Sequence, residues 1–471
     1  MSGFPEEPSF PMSRSAAAIP LFVLAALACN LGGTGTLGSE PTAPPTNPTP
    51  PPSLEPAGPP TPAYVSPACA GVPLATMEPG LYPTGAPPLN PPLDTEAQLE
   101  VLSGLENAVR DLYLYPDFGG VDWPAAVAGI RVRVEAGMDT EAFYRELQEL
   151  ISGLGDEHSY IQSPAEIAAE RATLEGQLDF VGIGVLVLPR IERGLGTILS
   201  VFPDSPADQG GLRPHDSILG IDGTPIVEGG VSQQQLMRGP ACTQIVLTVQ
   251  TPGEPERQMS FVRSEVTGAL PIDARLVSTS DGTRVGYIFL PTFLDQSLPE
   301  RVEQALEEFG PLDGLILDDR MNGGGLGSVA EAMLAFFVDG PAGYFVDNQG
   351  QTALSIAAHP VQNSQNVPLV VLIDEDTVSY GEIFAGVLQD LGRAKLVGLT
   401  TLGNVERLHA VDFGDGSRLW LAVERFDPLN SQADWEEQGI VPDVPLTAAW
   451  EDFMAENDPA VMAALQLLAL P

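Results

Sequence analysis

The stretch Val370-Val371-Leu372-Ile373-Asp374-Glu375-Asp376-Thr377-Val378-Ser379-Tyr380-Gly381-Glu382-Ile383-Phe384-Ala385-Gly386-Val387-Leu388-Gln389-Asp390 changes its period in the middle. Its first four residues form an unbroken Val/Leu/Ile run, the pattern of a strand buried on both faces. Beyond the polar turn, Ile383, Phe384, Val387, Leu388 and Leu391 fall at three- and four-residue spacing, which is one face of a helix. Strand, short turn and helix in that order build a parallel α/β sheet. Ser379 stands where the turn becomes the helix. A serine there can simply cap the free amides, but the same amides and the helix dipole also favour the charge that a nucleophile generates.

The pattern repeats outward from this unit. VGYIFL, GLILDDR, PLVVLID and AKLVGL read as buried strands, with helices near 327–337 and 380–391, so a mostly parallel sheet with its functional groups at the C-terminal strand ends is predicted. One such end is Leu315-Ile316-Leu317-Asp318-Asp319-Arg320-Met321-Asn322-Gly323-Gly324-Gly325. Consecutive glycines let backbone N–H groups face a cavity, as an oxyanion requires; a plain flexible loop fits equally. Upstream, between about Leu178 and Arg263, short β runs (VGIGVLVL, TILSVF, SILGIDG, IVLTVQ) are punctuated by Gly and Pro. Further upstream two helices are predicted, one from Asp94 with Leu102, Leu105, Val109 and Leu112 on one face. The other runs from about Asp139 with Phe143, Leu147, Leu150, Ile151 and Leu154, and is followed by the polar turn Asp156-Glu157-His158-Ser159-Tyr160.

The 471 residues carry 63 acidic against 21 basic groups, a formal charge of −42, and only Glu40, Glu55, Glu78 and Asp94 are acidic between Cys29 and Asp94. The acidity therefore belongs to the folded part, and such a surface disfavours nucleic acid and anionic lipid heads. Ala16–Ala28 is an apolar run of 13 residues, too short for a mature span, and reads as a signal-peptide core within residues 1–28. Ala28-Cys29 suggests lipidation of Cys29, hence an extracytoplasmic, membrane-anchored location; ordinary cleavage after Ala26-Leu27-Ala28, giving a secreted chain, is the alternative. Residues 29–93 form a Pro/Thr-rich linker too poor in apolar groups to build a core. The three cysteines are no disulfide scaffold, and a lipidated Cys29 would leave Cys69 and Cys242 able to pair. There is no H-E-x-x-H, no clustered histidine and no phosphate-loop Lys-Ser/Thr, so neither a metal nor another cofactor is expected.

Two resemblances organise these readings. Asp204-Ser205-Pro206-Ala207-Asp208-Gln209-Gly210-Gly211-Leu212-Arg213-Pro214-His215-Asp216-Ser217-Ile218-Leu219-Gly220-Ile221-Asp222-Gly223 resembles the PDZ signature, with His215 standing where a glycine is usual. The resemblance implies that Gly182, Ile183, Gly184 and Val185 form the loop whose amides receive a peptide C-terminus, the peptide then adding as a strand. The whole order of motifs, with Gly392-Arg393-Ala394, Val397-Gly398 and Gly439-Ile440-Val441-Pro442-Asp443, resembles the tail-specific (C-terminal processing) serine peptidases over about residues 95–455. It implies an α/β, crotonase/ClpP-like peptidase core (267–471) preceded by a helical part (94–176) and an inserted β-rich PDZ domain (177–266). It also implies Ser379 as nucleophile and the N–H groups of Gly323, Gly324 and Tyr380 as oxyanion donors. Protein or peptide substrates held by their C-termini are the implied partners.

The chain departs from the larger branch of that family, which takes its base from a lysine in a T-x-G-K turn. Here the turn is Thr400-Thr401-Leu402-Gly403-Asn404, and the single lysine, Lys395, lies in a strand. Leu154-Gly155-Asp156-Glu157-His158-Ser159 matches instead the histidine turn of the tricorn-core-like branch, and His158 is the one histidine of four inside a motif. A neutral imidazole is a competent base when a carboxylate orients it, and Glu436 or Glu437 before Gly439 is the implied third member. His158 Nε2 is expected to face Ser379. A turn-capping role for His158, and a catalytically inactive, envelope-anchored PDZ scaffold, are the competing readings.

Overall fold

In the computed structural model the described residues are 61–70, 72, 75–76, 90–156, 158–168, 179–267, 270–278 and 282–468. Residues 1–60, with the signal core and Cys29, lie outside them. None of the described helices is long and apolar enough to cross a membrane.

The buried Val/Ile/Leu runs pair as their composition demands. Ala274–Ser278, Arg284–Phe289, Gly314–Asp318, Leu369–Ile373, Lys395–Gly398 and Val444–Pro445 form one sheet in that order, parallel except for its first pair. Every residue of the Gly314–Asp318 and Leu369–Ile373 strands is buried. Helices Leu298–Phe309, Gly327–Ala335 and Tyr380–Asp390 cover one face, packing Leu306, Met333, Phe384 and Leu388 onto Leu315, Leu317, Val371 and Ile373. The other face receives Trp450 and helix Pro459–Leu468. Burying each such side chain contributes about 1.5–3 kcal/mol, so the strand ends sit on a rigid base.

A second sheet runs Gln351–Ile356, Gly340–Val346, Arg418–Pro428, Arg407–Asp412, and Tyr160–Gln162 joins it by pairing with Arg418–Pro428. That short strand ties the helical part to the core. The predicted helices are Thr95–Leu112 and Thr140–Ser152, capped by Asp94 and Asp139, and a further helix, Trp123–Glu135, lies between them. Leu102, Leu105, Val109, Phe143, Leu147 and Ile151 share a core with Leu419 and Leu421 of the second sheet. Leu112, expected on that face, is 39% exposed, because the helix ends there and the chain turns inward at Tyr113.

The β-rich module has the sheet order Thr61–Tyr64, Arg257–Val262, Thr243–Gln250, Ser217–Ile221, Leu195–Val201, Val185–Arg190. Its first strand comes from the stretch read as linker. Thr61–Tyr64 and Ala75–Thr76 add in parallel to Arg257–Val262 and Thr243–Gln250, and Cys69 is bonded to Cys242. The covalent bridge holds a segment whose own apolar content would not. His215 adopts φ +76°, the left-handed conformation that explains the glycine usual at this place. Its ring is buried on Trp450 of the core, centroids 4.1 Å apart and nearly parallel, with Nδ1 2.8 Å from Trp450 O. The module also docks through Leu186 and Leu188, which pack against the core.

Candidate active site

Ser379 is held in an unusual backbone conformation, φ +58° and ψ −125°, immediately before helix Tyr380–Asp390. A simple N-cap residue has extended dihedrals, and Ser379 does not, although it closes a capping box with Glu382 at the head of the helix. Strain of this kind, about 1–3 kcal/mol, persists where surrounding structure enforces it. The enforcing group is Glu382, fully buried, which the S-x-x-E spacing marks in the sequence. Its carboxylate accepts the N–H groups of Ser379 (3.0 Å), Gly403 (2.8 Å) and Asn404 (2.8 Å). Burial pushes Glu382 up to about 7 even against these bonds.

The glycine loop presses on the same turn. Val378 N–H donates to Asn322 O at 2.9 Å. Gly324, at φ +80°, lies so close that a Cβ on it would sit 2.8 Å from Ser379 Cβ and 3.0 Å from Tyr380 N. Of the three expected oxyanion donors, Gly324 N–H donates to the Asn322 side chain at 3.0 Å, which leaves the amides of Gly323 and Tyr380 as the donors not engaged among the described residues. Behind the loop the buried Arg320 is held by Asp318 and Asp458. The buried carboxyl of Asp374 accepts Met321 N–H at 3.1 Å, and burial, then the charge of Asp376, pushes it up to about 7.

His158 meets Glu436 across 278 residues of sequence, Nε2 to Oε1 at 2.6 Å. The turn before it is organised by Asp156, which accepts the N–H groups of His158 and Ser159 and the Ser159 hydroxyl. Capping is thus done by Asp156, and the imidazole is free for another role. Glu436 Oε2 accepts Val405 N–H at 2.8 Å. A continuous run of bonds therefore leads from Ser379 through Glu382 and the Asn404–Val405 backbone to Glu436 and His158. The expected Nε2 orientation is not found: Nε2 faces Glu436, and Nδ1 is buried with no partner. Ser379 and the His158 ring are not hydrogen-bonded to each other in this structure. Burial opposes the imidazolium, but the hydrogen bond and charge of Glu436, foremost among the neighbouring groups, outweigh it and hold His158 above the ordinary histidine value.

Among the described residues no hydrogen bond or ion pair joins Glu437 to His158; its N–H, like that of Glu436, donates to the capping Asp434. Lys395 is exposed and paired with Asp443 at 2.6 Å, away from the serine. Asn404 contributes its backbone N–H to Glu382. One residue the motifs did not reveal, Glu406, lies beside the pair: single donor atoms of His158, Glu406 and Glu436 fall within 4.8 Å of one another. A contact of 2.6 Å is a hydrogen-bond length, shorter than the roughly 3.3 Å between ligands of a tetrahedral ion, so the trio reads as a proton-sharing cluster.

In the β module the carbonyls of Ile183 and Gly184 accept the N–H groups of Ala207 (2.8 Å) and Phe202 (2.9 Å). In planar trans peptides the amides of Gly184 and Val185 then point the opposite way, toward the open edge of the Val185–Arg190 strand. Arg190, at the far end of that strand, pairs with Asp376 in the turn that carries Ser379.

Comparison with known proteins agrees with this architecture. The model described as "Peptidase family S41" matches residues 284–446, and a PDZ-domain model matches 197–251. A carboxyl-terminal-processing protease of Synechocystis is 31% identical over 335 residues, covering 70% of this chain and 77% of its own. The carboxy-terminal processing protease CtpB of Bacillus subtilis is 29% identical over 310 residues, 63% of this chain and 62% of its own. A solved photosystem II D1 C-terminal processing protease superposes with a TM-score of 0.53 at 27% identity, covering 74% of this chain and 93% of that one. With its strand-turn-helix serine, its glycine loop and its PDZ module, the chain belongs to peptidase family S41, the carboxyl-terminal-processing proteases, and is a serine-type endopeptidase.

Proposed function

We propose that Ser379, His158 and Glu436 are the catalytic triad of an extracytoplasmic peptidase that acts on proteins presented by their C-termini. The observation that carries the reading is the 2.6 Å His158–Glu436 bond in a chain whose only lysine is turned to solvent. With Nε2–H donated to Glu436, the lone pair of Nδ1 is free to take the proton of Ser379. The serine oxygen attacks the peptide carbonyl, whose oxygen is received by the amides of Gly323 and Tyr380. The imidazolium returns its proton to the leaving amine, and water hydrolyses the acyl-enzyme by the same route. The substrate's terminal carboxylate is held at Gly182–Val185, and its chain adds to the edge of Val185–Arg190. The Arg190–Asp376 pair gives the occupied strand a route to the nucleophile turn. The Cys69–Cys242 bridge supports an oxidising, extracytoplasmic location; lipidation of Cys29 would fix the chain to a membrane there.

A fluorophosphonate probe tests the triad. Labelling of the wild type is expected to be abolished by Ser379→Ala and cut by about 10³-fold or more by His158→Ala. Because His158 is held above its ordinary value, the labelling rate should rise with pH through a midpoint above about 6.5. Labelling unaffected by His158→Ala refutes the base; no labelling between pH 6 and 9 favours the inactive PDZ scaffold.

A further inference from the structure

Glu406 is a second carboxylate at His158 that the triad does not use. It is 5% exposed, and comes from the residue before strand Arg407–Asp412. Its neighbour Val405 donates to Glu436, so one dipeptide orients Glu436 by its backbone and places Glu406 against His158 by its side chain. Around Glu406 stand Tyr115, Asp156, His158 and Glu436. Tyr115 hydroxyl donates to Oε1, and Oε2 is buried without a partner.

Two carboxylates so close, away from water, are not both ionised beside a neutral imidazole. Their surroundings decide which one keeps the proton. Glu436 is the more exposed and has two donors, Val405 N–H and the His158 ring; Glu406 has one neutral hydroxyl and a bare oxygen. We propose that Glu406 is a positioning residue for the general base: it holds a proton at neutral pH, so that His158 faces Glu436 and Asp156 without a third negative charge and stays a free base. An ionised Glu406 added to these charges would favour the imidazolium, which cannot accept the serine proton. When Glu406 loses its proton at higher pH, the ring feels the added charge and the pair titrates as a unit. Burial and the charge of Glu436 push Glu406 up to about 8, which sets where this occurs.

The catalytic half of this inference rests on His158 being the base, and the experiment separates the two. The four histidines are followed by NMR with labelled imidazole in full-length Ser379→Ala protein, and the pH profile of probe labelling is recorded in the active chain. The His158 signal is expected to show two inflections, the upper one near pH 8, and the labelling rate to show the same upper inflection. Glu406→Gln should abolish the upper inflection in both records. Tyr115→Phe, which removes the bond that favours ionised Glu406, should move it to higher pH and serves if Glu406→Gln does not fold. A single His158 inflection in the wild type, or an upper one that survives Glu406→Gln, overturns the proposal. Loss of the NMR inflection with labelling that ignores His158→Ala would retain the shared proton and overturn its role in catalysis.

Discussion

Replacing His215 separates two opposing effects at one residue. Its left-handed φ costs a non-glycine side chain about 1–2 kcal/mol. Against this stand the stack on Trp450, worth about 0.5–1.5 kcal/mol, and the bond to Trp450 O, about 0.5–1.5 kcal/mol. His215→Ala keeps the strain and loses both contacts, so the junction between the PDZ module and the core should weaken by roughly 1–3 kcal/mol. His215→Gly loses the same contacts but relieves the strain; after the extra entropy of an unfolded glycine, it should recover about 0.5–1 kcal/mol relative to Ala. The pH dependence has a definite sign. Burial, with the charge of Arg320 nearby, lowers the His215 pKa despite the bond to Trp450 and the charges of Asp458 and Asp318. The released ring therefore binds protons that the docked ring does not, and docking weakens as pH falls below the free value of about 6.5. Hydrogen exchange of the Trp450–Phe453 amides, measured between pH 5 and 8, reads the opening free energy directly. Ala as stable as Gly would refute the strain argument; a slope that persists in both variants would refute His215 as its source.

Gly324→Ala should displace the nucleophile turn, since its Cβ would lie 2.7 Å from Val378 O and 2.8 Å from Ser379 Cβ. Stopped-flow labelling of Ser379 is expected to slow by about 100-fold, and an unchanged rate would show that the loop yields freely. Removing the Cys69–Cys242 bridge by the double serine variant frees a 173-residue separation, worth about 5 kcal/mol in the chain-entropy account. Urea denaturation should show the loss in the β module, and a change under about 1 kcal/mol would mean that the N-terminal strands hold without it.

The parts of the site that lie close in sequence were readable there. The switch from a buried run to helical spacing around Ser379 has one physical solution, and three successive glycines at a strand end have few. His158 and Glu436 were within reach only through motif resemblance, because no local pattern reports a contact across 278 residues. Which nitrogen faces the glutamate depends on packing around the ring. Glu382 was legible as the acid of a capping box, although its hold on Gly403 and Asn404 was not. Glu406 left no mark, since a carboxylate before a strand of mixed exposure looks like any surface acid. Helix Trp123–Glu135 carries Trp123, Val127, Ile130 and Val134 at proper spacing and still went unmarked between its stronger neighbours. The linker composition concealed Thr61–Tyr64 and Ala75–Thr76, whose place depends on a covalent bond rather than on apolar content.

That bond also decides how force enters the molecule. A pull on the chain upstream of Thr61 loads the parallel strand Thr61–Tyr64 in shear and is then stopped at Cys69–Cys242, so that Ala75–Thr76, which follows the bridge, lies behind the lock. The load is delivered to the PDZ sheet, and helix Thr95–Leu112, which braces the His158 turn, is mechanically downstream of the lock. The bridge is a strain relief: a tug on the N-terminus enters the PDZ sheet at Cys242 instead of running along the chain into helix Thr95–Leu112 and the His158 turn.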